Sequence, residues 1–185
     1  MNLLVEAMRS VRRKCFISYH HADEAVVRQF VDTFDHTHDV LIRRRLGESP
    51  DDLIDSTNTD YVMSQVRARF LKDSTVTIVM MGRCTWARRY VDWEIQSSLR
   101  RGQTAPNGLL GIKLPSFGGF PPRFSSNLIK EGSEQADCYA RWMDYPQSPA
   151  VLRNEIEAAY LRRSTHAHWI VNHRDKMAYN RSCSQ

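Results

Sequence analysis

The chemistry this sequence offers is concentrated in one carboxylate and one polar cluster at a strand end. Glu94 stands in YVDWEI, one turn into a helical pattern from about Tyr90 to Arg101 whose apolar positions Val91, Ile95 and Leu99 are spaced four apart. Trp86, Arg88 and Arg89 lie just before that helix, and Ser18-Tyr19-His20-His21 close a short apolar run that starts at Cys15. A lone carboxylate on a helix can move a proton or steady a positive charge. The rings of Tyr19, Trp86, Tyr90 and Trp93 offer faces for a planar heterocycle, and Arg88 or Arg89 can pair with a phosphate. Spacing alone also fits a plainer reading. In it Glu94 is a surface glutamate favoured by the helix dipole, Asp23 caps a helix, and Trp86 fills core. Ser98, one turn beyond Glu94, either orients the carboxylate or is an ordinary polar helix residue.

The elements that must position these residues come as two strand-loop-helix units. In one, the β-branched run Thr75 to Met81 stops at Gly82, as a strand buried on both faces would, and the Glu94 helix follows. In the other, Cys15 to Tyr19 leads into a helix starting near Asp23 that buries Val26, Phe30 and Phe34. Two such units predict a mainly parallel sheet with helices on both faces. Sites in such sheets lie beyond the carboxyl ends of the strands, so both polar loops fall on one edge. Val40-Leu41-Ile42 reads as a second strand, Asp60 to Phe70 as a helix, Gly108 to Leu114 as a confident strand, and Cys138 to Trp142 as an edge strand. The loop Pro115 to Arg123 is too rich in Pro and Gly for regular structure. Ser148-Pro149 starts a helix with Leu152, Ile156, Ala159 and Tyr160 on its core side. Domain organisation is therefore a lead-in over 1–13, a single domain over 14–164, and a loosely held tail over 165–185.

Composition narrows the function classes. The 185 residues suit one core, and 42% hydrophobic with 25% charged residues are ordinary for a globular protein. Charge is +5, but its arginines come in scattered clumps with no aromatic-basic platform, which argues against nucleic acid. No window reaches the apolar length of a membrane span, and MNLLVEAMRS carries an acid within its short apolar part, unlike a signal peptide. Cys15, Cys84, Cys138 and Cys183 make no metal-ligand spacing, so free thiols in a reducing cytoplasm are expected and a zinc site is not. GxGxxG, GxxxxGK[ST], HExxH and GxSxG are all absent.

Taken together, FISYHHADEAVVRQF, TVTIVMMGRCTWARRYVDWEI and GLLGIKL resemble the TIR-like domain of the bacterial Thoeris anti-phage system. The resemblance spans about Lys14 to Leu114 and lacks the proline-glycine loop of animal TIR domains, which weakens any reading built on animal-type TIR–TIR contacts. It implies a flavodoxin-like three-layer α/β fold and a site that cleaves NAD+ as substrate, with no further cofactor and no metal. Glu94 matches the family's catalytic glutamate, and this reverses the plainer reading of that residue. Ser18, Tyr19, His20, Trp86, Arg88 and Tyr90 are the expected substrate contacts around it. The implied products are nicotinamide and an ADP-ribose-derived, cyclic signalling nucleotide that switches on a separate effector. A phage-derived trigger, low basal activity and a homo-oligomer belong to the same expectation. Two alternatives stand beside it: a non-catalytic module of the same fold that signals by assembly, and a nucleoside ribosyl-transferase.

Overall fold

Six consecutive buried residues, Val76–Met81, form the central strand, because an apolar β-branched run satisfies both faces of a sheet covered by helices. The computed structural model describes residues 12–38, 40–44, 61, 64, 65, 68, 71–102, 105–128 and 138–184. The expected helix after Asp60 falls almost wholly outside the described residues, as do most of the lead-in and the loop around Gly47.

In chain order the strands are β1 (Arg13–Tyr19), β2 (Leu41–Arg44), β3 (Val76–Met81), β4 (Gly108–Lys113) and β5 (Arg141–Asp144). The helices are α1 (Glu24–Val31), α2 (Arg89–Ser98), α3 (Pro122–Ser126) and α4 (Pro149–Thr165). A π-helical turn, Asp32–Thr37, extends α1 and buries Phe34. The sheet has the order β2-β1-β3-β4-β5 with every pair parallel. The sequence expectation of a flavodoxin-like α/β fold therefore holds.

The core is split by the sheet. On one side Ile17, Ile78 and Leu110 meet Val27 and Phe30 of α1 and Leu152, Ile156 and Ala159 of α4. On the other, Val79 and Leu109 meet Val91, Ile95 and Leu99 of α2 and Phe124 of α3. The four-residue spacing in α2 is thus its sheet-facing stripe. Ser148 caps α4 through its hydroxyl, which accepts from Val151 N–H at 3.3 Å, with Pro149 in the first turn as the sequence predicts. Asp23 holds the corresponding position before α1 but makes no side-chain capping bond. Its carboxylate turns instead toward Thr85, whose hydroxyl donates to Oδ2 at 3.3 Å.

Three expectations need correction. The segment 115–123 is not irregular throughout, because α3 starts at Pro122, where proline is tolerated in the first turn of a helix. Residues after Thr165 are not a loose tail: they run back along α2 toward the loop after β3. Val171 N–H donates to Asn127 Oδ1, Arg123 donates to the carbonyl of Asp175, and Met177 is buried. Bonds to main-chain groups fasten a segment whose side-chain pattern reads as polar and unpatterned. Nor are all four thiols free, since Cys84 and Cys183 form a disulfide across 99 residues of sequence, while Cys15 and Cys138 remain free and buried. Spacing cannot reveal a pair that only the returning segment brings together.

Candidate active site

β1 and β3 are adjacent, with Tyr19 in register with Met80, but their following helices pack on opposite faces of the sheet. The chain therefore diverges at the carboxyl ends of these two strands, the switch point at which sheets of this kind have their ligand crevice. Alternation along β1 sends Ile17 and Tyr19 to the α1 side, and Ser18 to the α2 side.

Ser18 and Glu94 meet at this point. Ser18 Oγ–H donates to Glu94 Oε2 at 2.5 Å, and the two residues are 1% and 4% exposed. Burial pushes the Glu94 carboxyl from its ordinary value of 4.5 up to about 8, against the opposing effect of the Ser18 hydrogen bond. At neutral pH the resting acid is thus mostly protonated, and a cation brought beside it favours the carboxylate. Ser98 does not orient the carboxylate: its hydroxyl donates to the Glu94 carbonyl at 2.8 Å and lies 2.7 Å from Thr77 Oγ1. It ties the backbone of α2 to the sheet directly behind Glu94.

His20 is buried at the same edge. Burial first, then the charges of Arg88 and His21, lower its imidazole to about 4, so it is neutral at physiological pH. Arg88 occupies the N-cap position of α2, half-buried, and its Nε has no hydrogen-bond partner among the described residues. Arg89 is already engaged: it donates to Tyr90 Oη at 3.2 Å, and its guanidinium lies 4.9 Å from the Tyr90 ring centre and 5.3 Å from that of Trp93. The buried Nε of Arg89 likewise has no partner among the described residues, so each of the two arginines keeps a donor for an anion.

The expected contacts do not all converge. Ser18 meets Glu94 directly, and Arg88 lies near enough to His20 to lower its imidazole, but neither His20 nor Arg88 acts on the Glu94 carboxyl. The Tyr19 ring packs against the α1 core, across the sheet from the carboxyl group. Trp86 lies beside Gly119 in the proline- and glycine-rich loop, where an added Cβ would come 3.7 Å from its Cδ1 and where φ is +145°. Tyr90 precedes Glu94 by one helical turn and packs edge-on against Trp93, 5.1 Å between centres.

The sequence reading missed two supports. Gly82, the residue that ends β3, packs so tightly on Asp23 that a Cβ would lie 2.2 Å from Oδ2. Gly82 N–H also donates to Thr85 Oγ1 at 2.9 Å, so Asp23, Thr85 and Gly82 knit the two site loops together. The second is a buried ion pair between α2 and α3. Arg123 donates to both oxygens of Asp92 at 3.0 and 3.1 Å, and the side chains are 0% and 1% exposed. The glycine that ends the β3 run hinted at the first; nothing in spacing pairs residues 92 and 123. Among the described residues no cluster of three His, Cys, Asp or Glu is placed to hold a metal ion, and no helix is long and apolar enough to cross a membrane.

An all-parallel sheet in this order with helices on both faces is a flavodoxin-like α/β fold, the arrangement of a TIR-like domain. Residues 16–117 match the family described as Thoeris protein ThsB, TIR-like domain. The match covers more than half of the chain, and the chain belongs to this family. It is accordingly a component of Thoeris anti-phage defence, in which a separate effector is the partner. No curated protein matches the chain.

Proposed function

We propose that the protein cleaves the N-glycosidic bond of NAD+, releasing nicotinamide and an ADP-ribose-derived, cyclic signalling nucleotide that activates the effector. The observation that carries this reading is the buried Ser18–Glu94 pair at the β1–β3 crevice. Nicotinamide on NAD+ is already cationic and leaves neutral, taking the bond electrons onto its ring nitrogen, so the reaction needs no acid to protonate the leaving group. Positive charge then builds on the ribose ring, as in glycoside cleavage. A fixed carboxylate in a water-poor site stabilises that charge and accepts hydrogen bonds from the ribose hydroxyls. Ser18 holds Glu94 in one orientation and favours its ionised form. Arg88, with an unused Nε donor, pairs with the pyrophosphate. Neutral His20 contributes hydrogen bonds without adding repulsion toward the cationic substrate.

Attack by water on the anomeric carbon gives a hydrolase, and attack by a group of the same nucleotide gives a cyclase. Exclusion of water favours the second. Mass spectrometry of small molecules from infected cells tests the proposal. Cells expressing the protein accumulate an ADP-ribose-derived nucleotide that cells with Glu94→Gln lack, and equal levels in both would overturn it.

A further inference from the structure

The side of α2 opposite Glu94 is covered by the chain's own C-terminal segment. Arg89, Asp92, Trp93 and Gln96 form one stripe at helical spacing, and each is bonded to that segment. The Asn172 amide donates to the Gln96 carbonyl at 3.0 Å, and Met177 N–H donates to Asp92 Oδ2 at 3.0 Å. Trp93 Nε1–H donates to the Met177 carbonyl at 2.9 Å. Further on, Arg89 N–H, the first free donor of α2, bonds Asn180 Oδ1 at 2.9 Å. Arg181 N–H donates to the Ala87 carbonyl at 2.8 Å, and Cys183 is joined to Cys84. The segment therefore descends α2 from end to start and finishes on the 84–89 loop, which carries Trp86 and Arg88.

We propose that residues 170–184 are a positioning strap for the substrate-binding loop, closed by the Cys84–Cys183 bond and opened by its reduction. Asn180 is its chief positioning residue, acting on Arg88 through the first turn of α2. Beyond Met177 the described contacts of the strap with the loop are the Asn180 and Arg181 hydrogen bonds and the disulfide with its sulfur contacts. Its last turn is thus held chiefly by the covalent link. The bonds to Asp92, Trp93 and Gln96 lie further back and remain when the link is cut, so opening loosens the loop without unfolding α2.

The redox step needs a dithiol reductant. One of its thiolates attacks a sulfur of the Cys84–Cys183 bond and its second thiol resolves the mixed disulfide. The protein S–S bond breaks, the reductant becomes a disulfide, and two electrons and two protons end on Cys84 and Cys183 as thiols. In a reducing compartment such a bond is characteristically transient and sensing rather than structural.

The inference rests on the NAD+-cleaving reading for its kinetic consequence, but not for its structural one. The test uses the full chain, oxidised, reduced with dithiothreitol, and as Cys183→Ser and Asn180→Ala. Reduction exposes two further thiols to alkylation and speeds amide exchange across residues 84–90, leaving β3 protected. It raises KM for NAD+ about 3- to 10-fold, as expected for lost positioning bonds, with kcat nearly unchanged because Ser18 and Glu94 do not touch the strap. Cys183→Ser has the reduced behaviour with or without dithiothreitol, and oxidised glutathione restores only the wild type. Asn180→Ala raises KM while keeping the disulfide. Four free thiols in the protein isolated without reductant, or identical loop exchange in the oxidised and reduced forms, would overturn the strap. Should neither form release nicotinamide after activation with lysate from phage-infected cells, the catalytic reading fails and the exchange measurement alone decides the strap. Release with one KM in all forms refutes the strap and leaves the catalytic reading standing.

Discussion

Replacing Glu94 by Gln isolates the energetic cost of burying an acid at the crevice. The folded carboxyl sits near 8 against an ordinary 4.5, so the native state binds a proton more tightly than the unfolded chain. The sign follows from linkage: where the native state holds more protons, stability falls as pH rises. The stabilising difference is fully present below about pH 4.5 and is lost as pH climbs through 8, where it levels off. At 1.36 kcal/mol per pH unit, the full span is about 5 kcal/mol, of which about 4 kcal/mol falls between about pH 5 and pH 9. Gln has the same shape and no proton to lose, so this slope disappears from the variant. The assay is denaturant unfolding of both proteins at matched pH values, read as the difference between them. Taking the difference cancels His20, whose lowered value acts in the opposite direction at acid pH, and Asp23, whose carboxyl burial raises. The wild type loses stability relative to Glu94→Gln as pH rises, and the variant becomes the more stable protein above neutrality. A difference that stays constant across this range would refute the reasoning, because it would mean that Glu94 is solvated in the folded protein.

Other consequences concern the supports of the site. Ser18→Ala removes the hydroxyl that donates to the Glu94 carboxylate, so the alkaline-rising limb of the kcat/KM profile moves to higher pH and activity at neutral pH falls about tenfold or more. Arg123→Met leaves Asp92 buried without its ion partner and costs about 3–5 kcal/mol, measured as a lower denaturant midpoint. Gly82→Ala drives a methyl into the Asp23 carboxylate and costs about 1–3 kcal/mol in thermal unfolding, which Asp23→Ala in the same chain partly restores.

The sheet was legible because burial on both faces leaves a mark that local composition carries. The run before Gly82, the GLLGIKL strand and the four-residue stripe of α2 became β3, β4 and the sheet-facing side of that helix. Glu94 and Ser18 could be placed on one edge by topology alone, since both follow or end adjacent parallel strands. What stayed hidden depends on distant chain segments. Asp23 has the position of a cap, yet Gly82 leaves room for its carboxylate to turn toward Thr85. Tyr19 shares a tripeptide with Ser18, but strand alternation sends it to the other side of the sheet. Trp93, set apart from the apolar stripe, faces the C-terminal segment, and that segment gives no sign of itself because it is held by main-chain bonds.

The central claim is that the Glu94 carboxylate supports departure of nicotinamide from NAD+. Its most direct test is nicotinamide release by purified protein at saturating NAD+, activated with lysate from phage-infected cells, for the wild type and Glu94→Gln. Release by the wild type and a loss of at least about a thousandfold in the variant are expected, since a buried charge opposite a developing cation is among the larger catalytic effects. Equal release from the two proteins, or none from either after activation, would contradict the account.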